Sequence, residues 1–535
     1  MITRLAALAA VLLLVAACEP EGAEEVGGAS TPAARPTEAR CDQLPRLVER
    51  VERGIVRGLS PDVNLVPREP NYIGAAAAPV HSGPWDYLAR VPLVMYGPGF
   101  VEPGRYKGSA DMSDVAPTTA RLIGFDFSER DGRVLQQPLV RTTNHPRVVV
   151  TVVWDGGGIN VLEEHPDSYP FLGSLLRKSA TWPDMQIGSS PSVTPPIHAT
   201  LSTGSYPKHH GIPGLRIRTP DGEYVDPFIG LDPSNMRLPT LADAYDQARD
   251  NEPVVGMLAA VNWHLSMIGQ GAGRPGGDRD LAVLFDENGD VFSNEALFML
   301  PDIGDTSYLE RAAADLDASD GQRDGAWKGN DLSKPLLRYS SPAHVAYQGF
   351  LLDRLLEVGN FGRDEIPDLL YVNFKPSDDA GHEWGMTSPE VGDTIRAQDE
   401  ELERLVENLD RTVGPRRWVL ILTADHGQTP YPRESGAWPI GGGELTRDAN
   451  AALDETDDDI GVVDRVSSPG AYVNMDQLRA NELTVGDVAR WMSSYTVADN
   501  VKEDQEMPSS FEGREDELLF DAAVAEGRTF SEACR

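Results

Sequence analysis

Basic residues are scarce in this chain. Lysine and arginine total 47 against 84 acidic residues, a formal charge of −37, which excludes nucleic-acid polymers and anionic membrane patches as partners of any broad surface. The deficit describes a heavily solvated exterior and says little about a buried site, where metal ions reverse the local sign. Cysteine is scarcer still, with Cys18, Cys41 and Cys534 only, and no internal repeat is visible. At 535 residues the chain is too long for a small disulfide-stapled module and long enough for one large domain or two to three ordinary ones.

The N-terminal apolar run in MITRLAALAAVLLLVAAC is too short to span a bilayer. Residues 1–17 therefore read as a signal peptide. Val15, Ala16, Ala17 and Cys18 have the form of a bacterial lipobox, which implies cleavage before Cys18 and acylation of its thiol. Residues 18–40 are rich in Glu, Gly, Ala, Ser, Thr and Pro without apolar periodicity, the composition of a flexible tether. The expected location is extracytoplasmic, lipid-anchored to the outer face of a bacterial cell membrane. With Cys18 acylated, Cys41 and Cys534 remain, and an oxidising compartment permits one disulfide between the two ends of the folded part, 41–535.

The stretch Ser189–Ile212, SSPSVTPPIHATLSTGSYPKHHGI, is the one the rest is organised around. Two prolines follow Thr194 and bias it to extended geometry, so the threonine is expected on a rigid turn, with a short helix running from His198 to Gly204. A hydroxyl held at a helix N-terminus suits an anionic substrate. A threonine is nevertheless a weak nucleophile until a base or a metal lowers its pKa, so metal ligands are expected elsewhere.

Three strand ends supply them. RVVVTVVWDGGG ends a continuous β-branched run in Asp155; PDLLYVNF leads to Asp378 and His382; RWVLILT leads to Asp425 and His426. Alternation of such strands with helical segments predicts an α/β fold, with a mostly parallel sheet and ligands at the carboxyl ends of its strands. Carboxylate and imidazole together favour Zn²⁺, with Mn²⁺ or Fe as weaker fits, and Asp378 and His382 are spaced to reach one ion across a turn. Between about 215 and 343 the periodicity weakens into turn-rich segments, apart from one helix-then-strand unit, and reads as a cap-like insertion.

WDGGG, SVTPPIHATLSTGSYPKHHGI, SDDAGHEWGMTSPE and TADHG together resemble the alkaline phosphatase superfamily, and within it the nucleotide pyrophosphatase/phosphodiesterases and related bacterial phosphatases. The resemblance implies a mixed, mostly parallel sheet with helices on both faces. It also implies one zinc on Asp155, Thr194, Asp425 and His426, and a second on Asp378 and His382. The family's last ligand is a histidine after the DHG motif, and no histidine follows His426. VHSGPWDYLARVPLVMYGPGF and ADMSDVAPTTARLIGF, within about 75–125, look like the family's C-terminal segment instead. That makes His81 the third ligand of the second zinc and the chain a circular permutation. Permuted ends should lie close together, which suits a Cys41–Cys534 bridge worth about 4–5 kcal/mol in the chain-entropy model.

The implied function is extracytoplasmic hydrolysis of a small phosphoester, as a phosphodiesterase or phosphatase, through a phosphothreonine formed on Thr194. Sulfatase chemistry is excluded because it needs a cysteine or serine at that position. The alternative is a non-catalytic or transferase-type metal-binding lipoprotein of the same fold. One departure stands out: the family's oxyanion asparagine is Leu215 here, with Arg216 or Arg218 as candidate replacements. His209 reads as a surface residue, and His264 in NWHLSMIG as a possible pocket residue without a motif.

Overall fold

The run VVVTVVW at Val148–Trp154 has no polar alternation, and all seven residues are buried, the signature of a strand covered on both faces. Its side chains divide by parity: Val149 and Val153 enter one hydrophobic core, while Val148, Val150, Val152 and Trp154 enter another. The first core takes Ile197, Ala199 and Leu201 from the helix Thr194–Thr203, and the second takes Leu351 and Leu355 from Pro342–Gly359 and Ile395 and Leu402 from Pro389–Thr412. Helices therefore pack on both faces of the sheet, as expected.

The structure, a computed structural model, describes residues 39–127, 131–219, 221–456, 458–502, 505–525 and 527–530, with side chains from 43 to 528 within those ranges. The expected leader, most of the tether, Cys18 and Cys534 lie outside the described residues, as does the side chain of Cys41. Among the described residues no helix is long and apolar enough to cross a membrane.

In chain order the strands of the large sheet are β1 (Leu93–Tyr96), β2 (Gly104–Arg105), β3 (Val148–Trp154), β4 (Ala180–Trp182), β5 (Val255–Ala259), β6 (Leu281–Phe285), β7 (Val291–Phe292), β8 (Asp368–Phe374) and β9 (Trp418–Thr423). They lie in the order β7-β6-β5-β8-β3-β9-β1-β4-β2. β6, β5, β8, β3 and β9 are parallel neighbours, while β7 and β1 pair antiparallel to β6 and β9. The register is decisive for the site. Phe374 lies opposite Trp154 and Thr423 opposite Val153, so β8, β3 and β9 release their following residues at one level.

The stretch expected as a cap-like insertion is corrected in extent, because β5, β6 and β7 fall inside 215–343 and extend the sheet. β5 is the strand of the expected helix-then-strand unit, whereas the turn-rich loops around β6 and β7 hid those two short strands. Further along, the hairpin around Ala326–Asp331 lies against the helix Pro376–Trp384: Trp327 packs edge-on to Trp384, and the Trp384 Nε1–H donates to Asn330 Oδ1 at 3.0 Å.

A second, five-stranded sheet is built from both ends of the chain, in the order Val463–Ser467, Gly470–Val473, Val63–Pro67, Phe520–Ala525, Arg528–Phe530. Val63–Pro67 pairs antiparallel with Phe520–Ala525, and Val48 and Val51 of the helix Ala39–Gly54 pack on Ala522 and Val524.

Candidate metal centre and nucleophile

Thr194 is the first residue of its helix and is 2% exposed. This corrects the expectation of a turn with the helix starting at His198. Proline needs no N–H in a first helical turn and its fixed φ already suits one, so Pro195 and Pro196 begin the helix. Gly204 ends it with φ +63°, its N–H reaching back to the Thr200 carbonyl. The prolines also remove two donors from the helix mouth, leaving fewer free N–H groups to meet an anion.

Asp378 and His382 lie on the helix Pro376–Trp384 rather than across a turn, a spacing of four that puts both on one helical face. Six of the expected residues meet. His81 Nε2 is 3.2 Å from His382 Nε2 and 3.5 Å from Asp378 Oδ1, which His382 Nε2 also approaches at 3.5 Å. His426 Nε2 lies 3.2 Å from Asp425 Oδ2 and 3.6 Å from Asp155 Oδ1, and its ring stacks on His81 with centroids 3.6 Å apart. His382 stands at the mouth, its side chain 34% exposed, while the others are buried.

Hydrogen bonds set the imidazole tautomers. His81 Nδ1 donates to the Ser192 carbonyl at 2.7 Å and His426 Nδ1 to the Gly427 carbonyl at 3.0 Å, so both turn a lone pair on Nε2 inward. His264 is the reverse case. Its Nδ1 accepts the Val261 N–H, and its Nε2–H donates to Asp155 Oδ2 at 3.2 Å, so it orients a carboxylate. Burial holds His81, His264, His382 and His426 neutral by lowering their pKa values, with neighbouring histidines adding to the effect at His81.

Three contributors were not anticipated. The Asn373 amide donates to Asp155 Oδ2 at 3.0 Å and to His198 Nε2 at 3.2 Å, and His198 Nδ1 donates to the Thr194 carbonyl at 2.8 Å. This chain of bonds ties the threonine's helix to the carboxylate. Lys375 is buried, with Nζ 3.2 Å from Asp155 Oδ1 and bonded to Asp378 Oδ2. Burial disfavours its charge, but Asp155 and Asp378 outweigh that and hold it protonated. Burial would likewise raise Asp155, yet Lys375 and His264 keep it well below the carboxylate range. Asp425 has no ion pair with Lys375, and burial beside Asp155 pushes it up to about 8. Strand register offered a signal for Lys375, since it directly follows β8 where Asp155 follows β3.

Other candidates lie elsewhere. Leu215 is 39% exposed and Arg216 is exposed, while Arg218 is engaged bidentately by Asp62 at 2.8 Å. His209 is a partly exposed partner of Asp131 at 2.6 Å, in keeping with a surface role.

The family model for type I phosphodiesterase / nucleotide pyrophosphatase matches residues 149–516. Alkaline phosphatase PafA of Elizabethkingia meningoseptica is 38% identical over 77 residues, 14% of each chain. Alkaline phosphatase PhoD of Zymomonas mobilis is 22% identical over 330 residues, 54% of each. The chain thus spans about half or less of these curated relatives. The crystal structure of wild-type PafA superposes with a TM-score of 0.52 at 19% identity, covering 66% of this chain and 77% of that one, so the two share a fold. With the matched model spanning most of the large sheet and the strand ends that carry Asp155, Asp378 and Asp425, the chain belongs to the type I phosphodiesterase / nucleotide pyrophosphatase family of the alkaline phosphatase superfamily.

Proposed function

We propose that this protein is a two-metal phosphoester hydrolase with Thr194 as nucleophile. The observation that carries this reading is the convergence of His81, Asp155, Asp378, His382, Asp425 and His426 from four separate segments. Buried atoms there have no hydrogen-bond partner: Asp378 Oδ1, Asp425 Oδ2 and His426 Nε2. Orphaned acceptors aimed at one another are what a cation would satisfy. The mixed nitrogen and carboxylate set suits zinc, with Asp155, Asp425, His426 and Thr194 holding one ion and Asp378, His382 and His81 the other. When bound, such ions supply Lewis-acid charge at the attacking and leaving oxygens.

The chain's own groups do the rest. Thr194 Oγ1 loses its proton and attacks phosphorus, the ester P–O bond breaks and its oxygen departs protonated as the alcohol; water then cleaves the phosphothreonine, releasing phosphate from a monoester or a phosphomonoester from a diester, and Thr194 regains its proton. His198 and Asn373 hold the threonine's helix in register with Asp155. Lys375 neutralises part of a cluster that also buries Asp155, Asp378 and Asp425. With Leu215 where an amide is expected and two prolines in the helix mouth, more of the phosphoryl charge falls to the cations. The substrate is a small monoester or diester.

The same reading covers the ends of the chain. His81 lies before the matched residues 149–516, and Val63–Pro67 pairs with Phe520–Ala525, which supports a permuted order and neighbouring termini. Non-reducing peptide mapping should find Cys41 joined to Cys534; two free thiols would remove the bridge. The anchor on Cys18 predicts a lipid-modified N-terminal peptide in mass spectra of membrane fractions.

The deciding assay compares zinc-dependent hydrolysis of a nitrophenyl phosphate monoester and diester by the wild type and Thr194→Ala. The expected result is turnover of at least one ester, abolished by the substitution and by chelation. Equal rates in both proteins would overturn the assignment of Thr194.

A further inference from the structure

A second group of carboxylates gathers outside the site above, where the helix Leu241–Ala248 meets the glycine-rich loop 269–280. Oxygens of Asp246, Asp278 and Asp280 all lie within 4.8 Å of one another. Asp246 is 4% exposed and Asp280 7%, while Asp278 reaches the surface. Neighbouring Asp243 is already used, accepting the N–H groups of Thr240 at 3.0 Å, Gln270 at 2.9 Å and Gly271 at 3.2 Å. Asp246 is different: its Oδ1 is buried without any hydrogen-bond partner. No lysine, arginine or histidine among the described residues comes within 4.0 Å of the three carboxylates. Arg274 lines the same cavity, but its guanidinium pairs with none of them and its Nε is itself unpartnered. The cavity measures about 10 Å³, room for a single small ion or water.

We propose that Asp246, Asp278 and Asp280 bind one hard divalent cation of the calcium type. An all-oxygen, irregular donor set with one ligand at the surface fits calcium, which accepts variable geometry and completes its shell with water, better than zinc, which takes nitrogen or sulfur. Like charges this close, two of them desolvated, do not persist without a counter-ion or protons. Burial and Asp278 push Asp246 up to about 7, and burial and Asp246 raise Asp280 well above the usual carboxylate range. The cation would brace the loop 269–280. That loop leaves the short helix Leu265–Ile268 just after His264, the residue bonded to Asp155, and ends on β6.

The proposal is independent of the reading of the first site, and its test keeps them apart. Full-length protein stripped with chelator is titrated with Ca²⁺ by calorimetry and followed by thermal melting, in the wild type and in Asp378→Asn/Asp425→Asn, which disables the first site. Both should bind one Ca²⁺ per chain, with a dissociation constant of about 10⁻³ M or tighter, and melt higher for it. Asp280→Asn should abolish that binding. Asp278→Asn, at an exposed position that tolerates the change, should weaken it at least tenfold and decides the matter if Asp280→Asn does not fold. Unchanged calcium binding in Asp278→Asn, or no saturable binding in the wild type, would overturn the proposal and leave protons as the answer to the crowded charge.

Discussion

The carboxylates beyond β3, β8 and β9 and those of Asp246, Asp278 and Asp280 are both crowded and largely buried, yet their surroundings differ in kind. The first group has Lys375 and several neutral imidazoles among its oxygens. The second has only carboxylate oxygens as donors, with Arg274 lining the same cavity but paired to none of the three. Nitrogen reaches the first from His81 and His426, hundreds of positions apart, whereas the second lies within one helix-loop-strand unit. The difference teaches that a cluster's chemistry is set less by its acid count than by which other donors the topology delivers to it.

Substitution of His426 should break the first cluster most severely, because it belongs to two of the three groups of candidate ligand residues there, one with His81 and Asp378 and one with Asp155 and Asp425. His426→Ala is expected to lower kcat/KM by roughly 10³-fold or more and to reduce bound zinc, read by elemental analysis, with calcium binding at the second cluster intact.

Lys375→Met removes the only ammonium or guanidinium within ion-pair distance of Asp155 and Asp378 among the described residues. Leaving buried carboxylates uncompensated costs about 3–5 kcal/mol. Chelated Lys375→Met should therefore unfold at clearly lower denaturant concentration, with much of the loss restored by zinc. Equal stability of the two chelated proteins would show that Lys375 is no counter-ion.

Asn373→Ala cuts the link from Asp155 through His198 to the threonine's helix. A loss of about 10–100-fold in metal affinity or activity is expected, measurable by competition with a metallochromic chelator.

The smallest effect comes from a control outside both clusters. Burial raises Glu401 to about 7 despite its bond to Arg404 at 2.8 Å. Its unfolded pKa is lower, so between about pH 4.5 and 7 the unfolded chain has lost a proton that the folded one keeps, and stability falls as pH rises through that window. Glu401→Gln should flatten that part of the profile, gaining about 1–3 °C in melting temperature at pH 8 relative to pH 5. A larger gain would mean that burial alone, without clustering, carries much of the strain assigned to the two acidic groups.

Much of the site could be read from local pattern. An uninterrupted apolar run ending in an acid, as at Val148–Asp155 or Trp418–His426, is a buried strand whose last residue must meet a ligand at the sheet edge. Asp378 and His382 were legible as a pair, although the helix that carries them was not, because PSDDAGHEW has few apolar residues to show a period. β5 was legible as the strand of its helix-then-strand unit, while β6 and β7 were obscured by the loops around them. Lys375 escaped notice since a single lysine after a strand is ordinary in sequence and unusual only when the next strand's acid lies beside it.

Composition, the strand-end acids and the threonine with its prolines were determined by the sequence itself, because period, φ restriction and side-chain chemistry act within a few residues. Whether His81 met His382, which way each imidazole was turned, and that Lys375, Asn373, His198 and His264 joined the carboxylates were decided only by the tertiary structure. Those contacts depend on strand register and on packing between segments far apart in the chain, and no local propensity encodes either.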